Sequence, residues 1–168
     1  MQNAKDTFYT TLQARLAALN PARTLVLRGL TRPGTLVDEN ELPTAAPPTD
    51  AFRLEWTGLQ LDPRANLSLL TLACTITYAT DGTAGNSGMD RGRALAAMDA
   101  ELAQALTTAP QSTPKLNFAA ANAATPPATM ATRIFWSDPT FSAVTTAAER
   151  LQRTATVQVC AYQEAGEL

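Results

Sequence analysis

Residues 70–78 alternate without a break: Leu70, Leu72, Cys74, Ile76 and Tyr78 fall on one side, Thr71, Ala73, Thr75 and Thr77 on the other. A period of two belongs to a strand with one buried face. Phe52, Leu54 and Trp56 alternate in the same way with Arg53, Glu55 and Thr57. Between the two runs, Asp62-Pro63-Arg64-Ala65 has proline at the second turn position, where its fixed φ is already suitable. The pattern predicts a long antiparallel hairpin. Thr154 to Tyr162 alternates again and predicts a closing strand, and Thr24–Arg28 and Met130–Trp136 are strand-like as well.

Two segments instead repeat at the helical period. Phe8, Leu12, Leu16 and Leu19 predict an amphipathic helix from about Thr7 to Leu19, capped by Asp6 or Thr7 and stopped by Asn20-Pro21. Leu95, Met98, Leu102 and Leu106 predict a second, with Asp90 as its N-cap. Asp138-Pro139 suits the start of a short helix reaching about Arg150. The stretches Thr31–Asp50 and Thr107–Thr129 are rich in proline and are expected as long loops, mobile in a free subunit and ordered by neighbours.

The order is helix, strand, hairpin, helix, two strands. It implies an α+β fold, with a mainly antiparallel β-sheet and two α-helices packed on one face, and residues 1–168 as a single domain. The expected core holds Phe8, Leu12, Leu16, Leu72, Ile76, Leu95, Met98, Leu102, Val157 and Val159.

The chemistry of the chain narrows its function. There is no histidine, which excludes a Ser-His-Asp triad, a Cys-His pair and every His-ligated metal site. The two cysteines, Cys74 and Cys160, sit in strand-like runs and read as small hydrophobes rather than a disulfide framework. A net charge of −2, and no arginine cluster interleaved with aromatics, give no sign of nucleic-acid recognition. The N-terminal stretch MQNAKDTFYTT lacks an apolar signal core, and no run of eighteen apolar residues exists, so no membrane span is expected. Lys5 and Lys115 are the only lysines; the remaining basic residues are arginine, which suits fixed contacts at protein interfaces.

The stretch TYATDGTAGNSGMDRGRALAAMDAEL, residues 77–102, has the strand, glycine loop and helix order of many phosphate sites. A P-loop needs a lysine after its last glycine, but Gly88 is followed by Met89-Asp90. Gly82, Gly85 and Gly88 are spaced by three, which is not the dinucleotide fingerprint, and Asp81 and Asp90 would repel a phosphate. The preceding strand alternates with threonine, whereas a doubly wound sheet would bury both of its faces. The loop is therefore expected as a connection, with no nucleotide, metal or other cofactor.

Carboxylate catalysis finds no better footing. Asp90, Asp99 and Glu101 follow one another at steps of nine and two residues, roughly 180° and 200° apart around a helix, so they do not converge. Asp138 is explained as a helix start. The expectation is that the protein is not an enzyme.

The layout resembles the tail terminator (tail completion) proteins of long-tailed phages and prophages. The resemblance rests on the opening helix FYTTLQARLAAL, the hairpin FRLEWTGLQLDPRANLSLLTLACTITYAT, the second helix MDRGRALAAMDAELAQAL and the closing strand RTATVQVCAYQE. It spans nearly the whole chain, and the Arg91-Gly92 helix entry and the strand from Arg153 to Tyr162 carry most of it. It implies a structural virion protein, made in the host cytoplasm and placed on the tail. Such a protein assembles with itself into a ring, commonly a hexamer, caps the tail tube, ends its polymerisation and meets the neck or head-completion protein. Two related readings stay open: the cap of a phage-tail-like contractile particle, and a small monomeric binding or assembly-chaperone module. The residues expected at the subunit or tube interface are Arg53 and Glu55 on the hairpin edge and Arg91 and Arg93 at the second-helix entry.

Overall fold

The computed structural model describes residues 1–40, 48–63, 67–82, 89–122, 124–147, 149–164 and 167. The elements run α1 (Gln2–Leu19), β1 (Thr24–Leu27), β2 (Leu30–Pro33), β3 (Thr35–Val37), a 3₁₀ turn (Asp38–Asn40), β4 (Phe52–Asp62), β5 (Leu69–Thr80), α2 (Asp90–Thr107), β6 (Ser112–Asn117), β7 (Ala128–Trp136), β8 (Thr140–Phe141), β9 (Thr145–Ala147) and β10 (Arg150–Tyr162). The fold is α+β. The main sheet has the order β3-β4-β5-β10-β7-β6, antiparallel throughout except that β3 runs parallel to β4. β8 and β9 also pair with β10, while β1 and β2 form a separate two-stranded sheet.

The alternating runs do what their period requires. β4 and β5 form the expected hairpin, with Phe52 opposite Tyr78 and Leu54 opposite Ile76. β5 then pairs along its whole length with β10, from Leu69 opposite Tyr162 to Thr80 opposite Leu151. The inward residues Leu72, Cys74, Ile76, Ala155, Val157 and Val159 are all buried in one core with Phe8, Leu12 and Leu16 of α1 and Leu95, Met98 and Leu102 of α2. All ten expected core residues lie in it.

The two helices are also tied by polar contacts. Arg15 of α1 donates to the carbonyls of Ala105, Thr108 and Pro110, and the indole N–H of Trp136 donates to the carbonyl of Leu106. The bonds to Ala105, Leu106 and Thr108 satisfy carbonyls that the last turn of a helix leaves without partners. At the other end of α1, Thr7 accepts the backbone N–H of Leu116 at 2.9 Å, and Asn3 accepts that of Phe118 at 3.2 Å. The helix thereby covers the outer edge of β6, an edge that would otherwise offer free backbone groups.

Several expectations change. α1 begins at Gln2, so Asp6 and Thr7 lie inside it, and Thr7 serves β6 instead of a cap. Asp90 is the first residue of α2; Met89 holds the N-cap position without a side-chain bond. Stretch 31–50 is not a continuous loop: β2 ends at Pro33, and β3 buries Thr35, Leu36 and Val37 against β4; residues 41–47 of the expected loop lie outside the described residues. Proline at the end of β2 and just outside β3 leaves the backbone of both free to pair. Stretch 107–129 contains β6, where Pro114 is accommodated on an edge strand beside a bulge. No helix follows Asp138 among the described residues. The chain stays extended as β8 and β9, because β10 offers it a backbone ladder from Arg150 to Thr156, and Asp138 accepts a bond from the Gln111 side chain instead of capping.

Candidate functional site

The four residues expected at an interface fall into two separate pairs. Arg53 and Glu55 point from β4 toward the helix-free side of the sheet, opposite Thr77 and Thr75. Arg53 is held by both carboxylate oxygens of Asp38, through Nε and, at 2.5 Å, through Nη2. β3 pairs with β4 from Phe52 to Leu54, so Arg53 is not on a free edge as its hairpin position suggests. Arg91 and Arg93 are exposed on the first turn of α2, on the helix side. Arg91 Nε donates to the Asp81 carbonyl at 3.0 Å, and the Asp81 carboxylate accepts Arg150 Nε at 2.8 Å. Gly82 sits between, with φ +71; a Cβ there would lie 2.6 Å from the side chains of Asp90 and Arg91. That glycine lets the chain turn tightly into α2. Gly85 and Gly88 lie outside the described residues.

The helix-free face of the sheet is uncharged along the paired stretches of β5 and β10. Thr71, Ala73, Thr75 and Thr77 of β5 stand beside Cys160, Gln158, Thr156 and Thr154 of β10 in strict register. Thr57 Oγ1 and Thr75 Oγ1 are 3.2 Å apart, and Ser142 links to Thr154 at 3.0 Å. At one corner Phe135 and Tyr162 pack edge to face with centroids 6.4 Å apart. No helix among the described residues covers this surface.

A bulge between Trp56 and Gly58 shifts the β4 register by one residue. A simple period of two carried on from Trp56 would turn Leu59 and Leu61 outward; the bulge turns them to the helix side, opposite Leu72 and Leu70. There they extend past the start of α1 and are 50% and 52% exposed. Beyond Leu54, no described strand pairs with the outer side of β4. A small open groove of about 220 Å³ lies alongside, between Met1, Lys5, Trp56, Leu59 and Leu72. A larger shallow cleft of about 690 Å³ lies between the start of α1 and the β6–β7 hairpin, with Asn3, Asp6, Phe118 and Met130 on its walls. Burial raises the pKa of Asp6 there, and the nearby Glu39 adds to the effect against the bond from Gln2 and the charge of Lys5.

Two carboxylates of α2, Asp99 and Glu101, are engaged in structure. Asp99 accepts the Tyr78 hydroxyl on one oxygen and Arg153 Nη1 on the other, each at 2.5 Å. Burial is the main cause of a strongly raised Tyr78 pKa, with the Asp99 bond second. Glu101 accepts Arg23 through Nε at 2.7 Å and Nη2 at 2.8 Å, and Asn20 at 2.8 Å. Cys74 is a buried thiol with its pKa pushed up by desolvation, and Cys160 is a half-buried free thiol. Among the described residues no group of three or more Cys, Asp or Glu is placed to hold a metal ion, and no described helix is long and apolar enough to cross a membrane. What this arrangement offers is contact surface: a threonine face in register across β5 and β10, and exposed aliphatic side chains. Leu59 and Leu61 are the residues that sequence periodicity misses, because the bulge that aims them has no marker beyond Gly58. No protein-family model matches the chain, and no curated protein matches it.

Proposed function

We propose that the protein is a tail-terminator-like ring subunit. It closes with further copies of itself, six being the family's common number, on the end of a tail tube. There it ends polymerisation and offers the joining surface for the neck or head. The observation that supports this reading best is the helix-free face of the sheet, with its threonines in register across β5 and β10. A tube end is a protein surface, and capping it takes area and shape rather than chemistry. β-Branched threonine gives a stiff, flat surface that can be covered without stranding a charge away from water. The element order of helix, long hairpin, helix and closing strand agrees with the layout of the family.

Deleting the gene in its parent phage or particle and imaging the tails tests the proposal. Overlong or headless tails are expected, restored by the gene supplied in trans. Tails of uniform normal length, correctly joined to heads, would overturn it and leave the binding-module reading, with the cleft beside Phe118 and Met130 as its natural place.

A further inference from the structure

The cleft between the start of α1 and the β6–β7 hairpin holds charge that the fold does not balance. The ionisable side chains among its described wall residues are Asp6, Glu164 and Glu167, all of them acids. Glu167 is neutralised by Lys115. Asp6 and Glu164 are met by neutral donors: the Gln2 amide bonds to Asp6 at 2.9 Å, and Thr132 gives its N–H and O–H to Glu164 at 2.8 and 2.7 Å. Lys5 precedes Asp6, but its ammonium is held by Glu39 at 2.7 Å.

Asp6 is the more strained of the two. Burial is the main cause of its raised pKa, and Glu39 adds to it. Glu101, Glu164 and Glu167 are shifted down instead. A carboxyl with a raised folded-state pKa makes the folded chain less stable once the group is charged. A cation beside it would reverse that penalty. A charge held at such a cost in a cleft has the character of a binding group rather than of a structural one.

The rest of the cleft suits a cation on an apolar stem. Its volume of about 690 Å³ is that of a ligand site, and Phe118 and Met130 give it an aromatic and a thioether wall. The walls are already fixed to each other. Asn3 accepts the Phe118 N–H at 3.2 Å, its amide nitrogen lies 3.8 Å from the Met130 sulfur, and Thr7 accepts the Leu116 N–H at 2.9 Å. A preformed site loses little to ordering when it is filled. Being shallow, it fits a side chain carried on a partner's backbone better than a molecule that must be enclosed. A guanidinium is planar and weakly hydrated, bonds carboxylates and stacks on aromatic faces.

We propose that this cleft binds an arginine side chain of a partner protein, with the guanidinium on the Asp6 carboxylate and the stem along Phe118 and Met130. The site lies apart from the threonine face, so it stands whether or not that face meets a tube.

Titrating acetyl-Ala-Arg-Ala-amide into the isotope-labelled protein at neutral pH and low salt tests it, beside the same peptide with neutral citrulline for arginine. The side-chain amide signals of Asn3 and Asn117 are expected to shift with a millimolar Kd. The citrulline peptide should bind about tenfold more weakly, and Asp6→Asn should weaken the arginine peptide by a similar factor. Asp6→Asn should melt no lower than the wild type, because it removes a charge the fold holds at a cost, so its loss of binding is not a loss of structure. Glu149→Gln removes the same charge from an exposed turn and should leave binding unchanged. Equal binding of the two peptides, equal weakening by Asp6→Asn and Glu149→Gln, or no shift of the two amides at millimolar peptide would overturn the proposal. Spermidine binding as tightly as the arginine peptide would make this a seat for any cation and overturn the arginine assignment.

Discussion

Lys115 Nζ lies 2.5 Å from a carboxylate oxygen of Glu167, and each side chain is only 1% exposed. Nζ also donates to the Tyr162 carbonyl at 2.6 Å, and the backbone N–H of Glu164 bonds to the same Glu167 oxygen at 3.1 Å. The lysine belongs to the bulge of β6 and points inward, so an edge strand is fastened to the chain that follows β10. Breaking such a pair from one side strands the other charge. Lys115→Met should cost about 3–5 kcal/mol in urea unfolding, and the double variant Lys115→Met/Glu167→Leu should recover most of that loss. A single variant as stable as the wild type would show that the pair carries no weight.

Acid should unfold the protein partly through Glu101 and Glu167. Burial is the largest single influence on each and would raise its pKa. For Glu101 the bonds from Arg23 and Asn20 and the charge of Arg23 together outweigh it; for Glu167 the bonds from Lys115 and the Glu164 backbone, with the nearby positive charges, do the same. Both carboxyls therefore titrate below the ordinary value of 4.5. A carboxyl with a depressed folded-state pKa contributes stability that is present above its unfolded value and lost as pH falls through the folded one. Stability measured against pH should fall below the ordinary value, and less steeply in Glu101→Gln. Parallel profiles for variant and wild type would remove Glu101 from the account.

Tyr78 sets the alkaline limit. Burial first, and then the bond to Asp99, raise its pKa well above the ordinary 10.0. The folded state holds this proton more tightly than the unfolded chain does, so stability is complete below the ordinary value and declines as pH rises above it. Of the three tyrosines in the sequence, one should resist ionisation, read by phenolate absorbance, until the protein unfolds. Tyr78→Phe should abolish that feature and lower stability by about 1.5–3 kcal/mol, since the bond is to a charged group.

Leu72 of the sheet and Leu102 of α2 belong to the same core, each at 1% exposure or less. Truncating either to Ala should cost about 2–5 kcal/mol by chemical denaturation. Wild-type stability in both variants would mean that the helix does not pack on this face in solution.

Much of this core is visible in the sequence because β5 and β10 are long, regular and buried on one face, so that period two names their inward residues directly. The two helices are visible for the same reason at their own period. β3 is not: three residues are too few for any periodicity, and its neighbours Pro33 and Gly34 signal a turn. β6 is hidden twice, by Pro114 and by Lys115, since a lysine normally marks a solvated position. Its burial depends on Glu167, more than fifty residues away, and no local window contains both. The residues expected at an interface follow the same rule. Arg53 is expected on the hairpin edge, whereas β3 pairs with that edge and brings Asp38 to the guanidinium, a parallel strand that local pattern does not reveal.

β10 lies in the middle of the main sheet, yet it is the last strand along the chain. During synthesis, β5 emerges well before β10, the strand that will pair with it along its whole length. Until then the apolar faces of the β4–β5 hairpin and of α2 have no central strand to close over. Chains that have not yet added β10 thus lack a finished sheet, and with it the threonine face proposed to meet a tube. Folding is correspondingly expected to be slow for the chain's size, because its central pairing is between segments far apart in sequence. Under the proposed function, recognition of a tube end would await the pairing of β10 with β5 and β7.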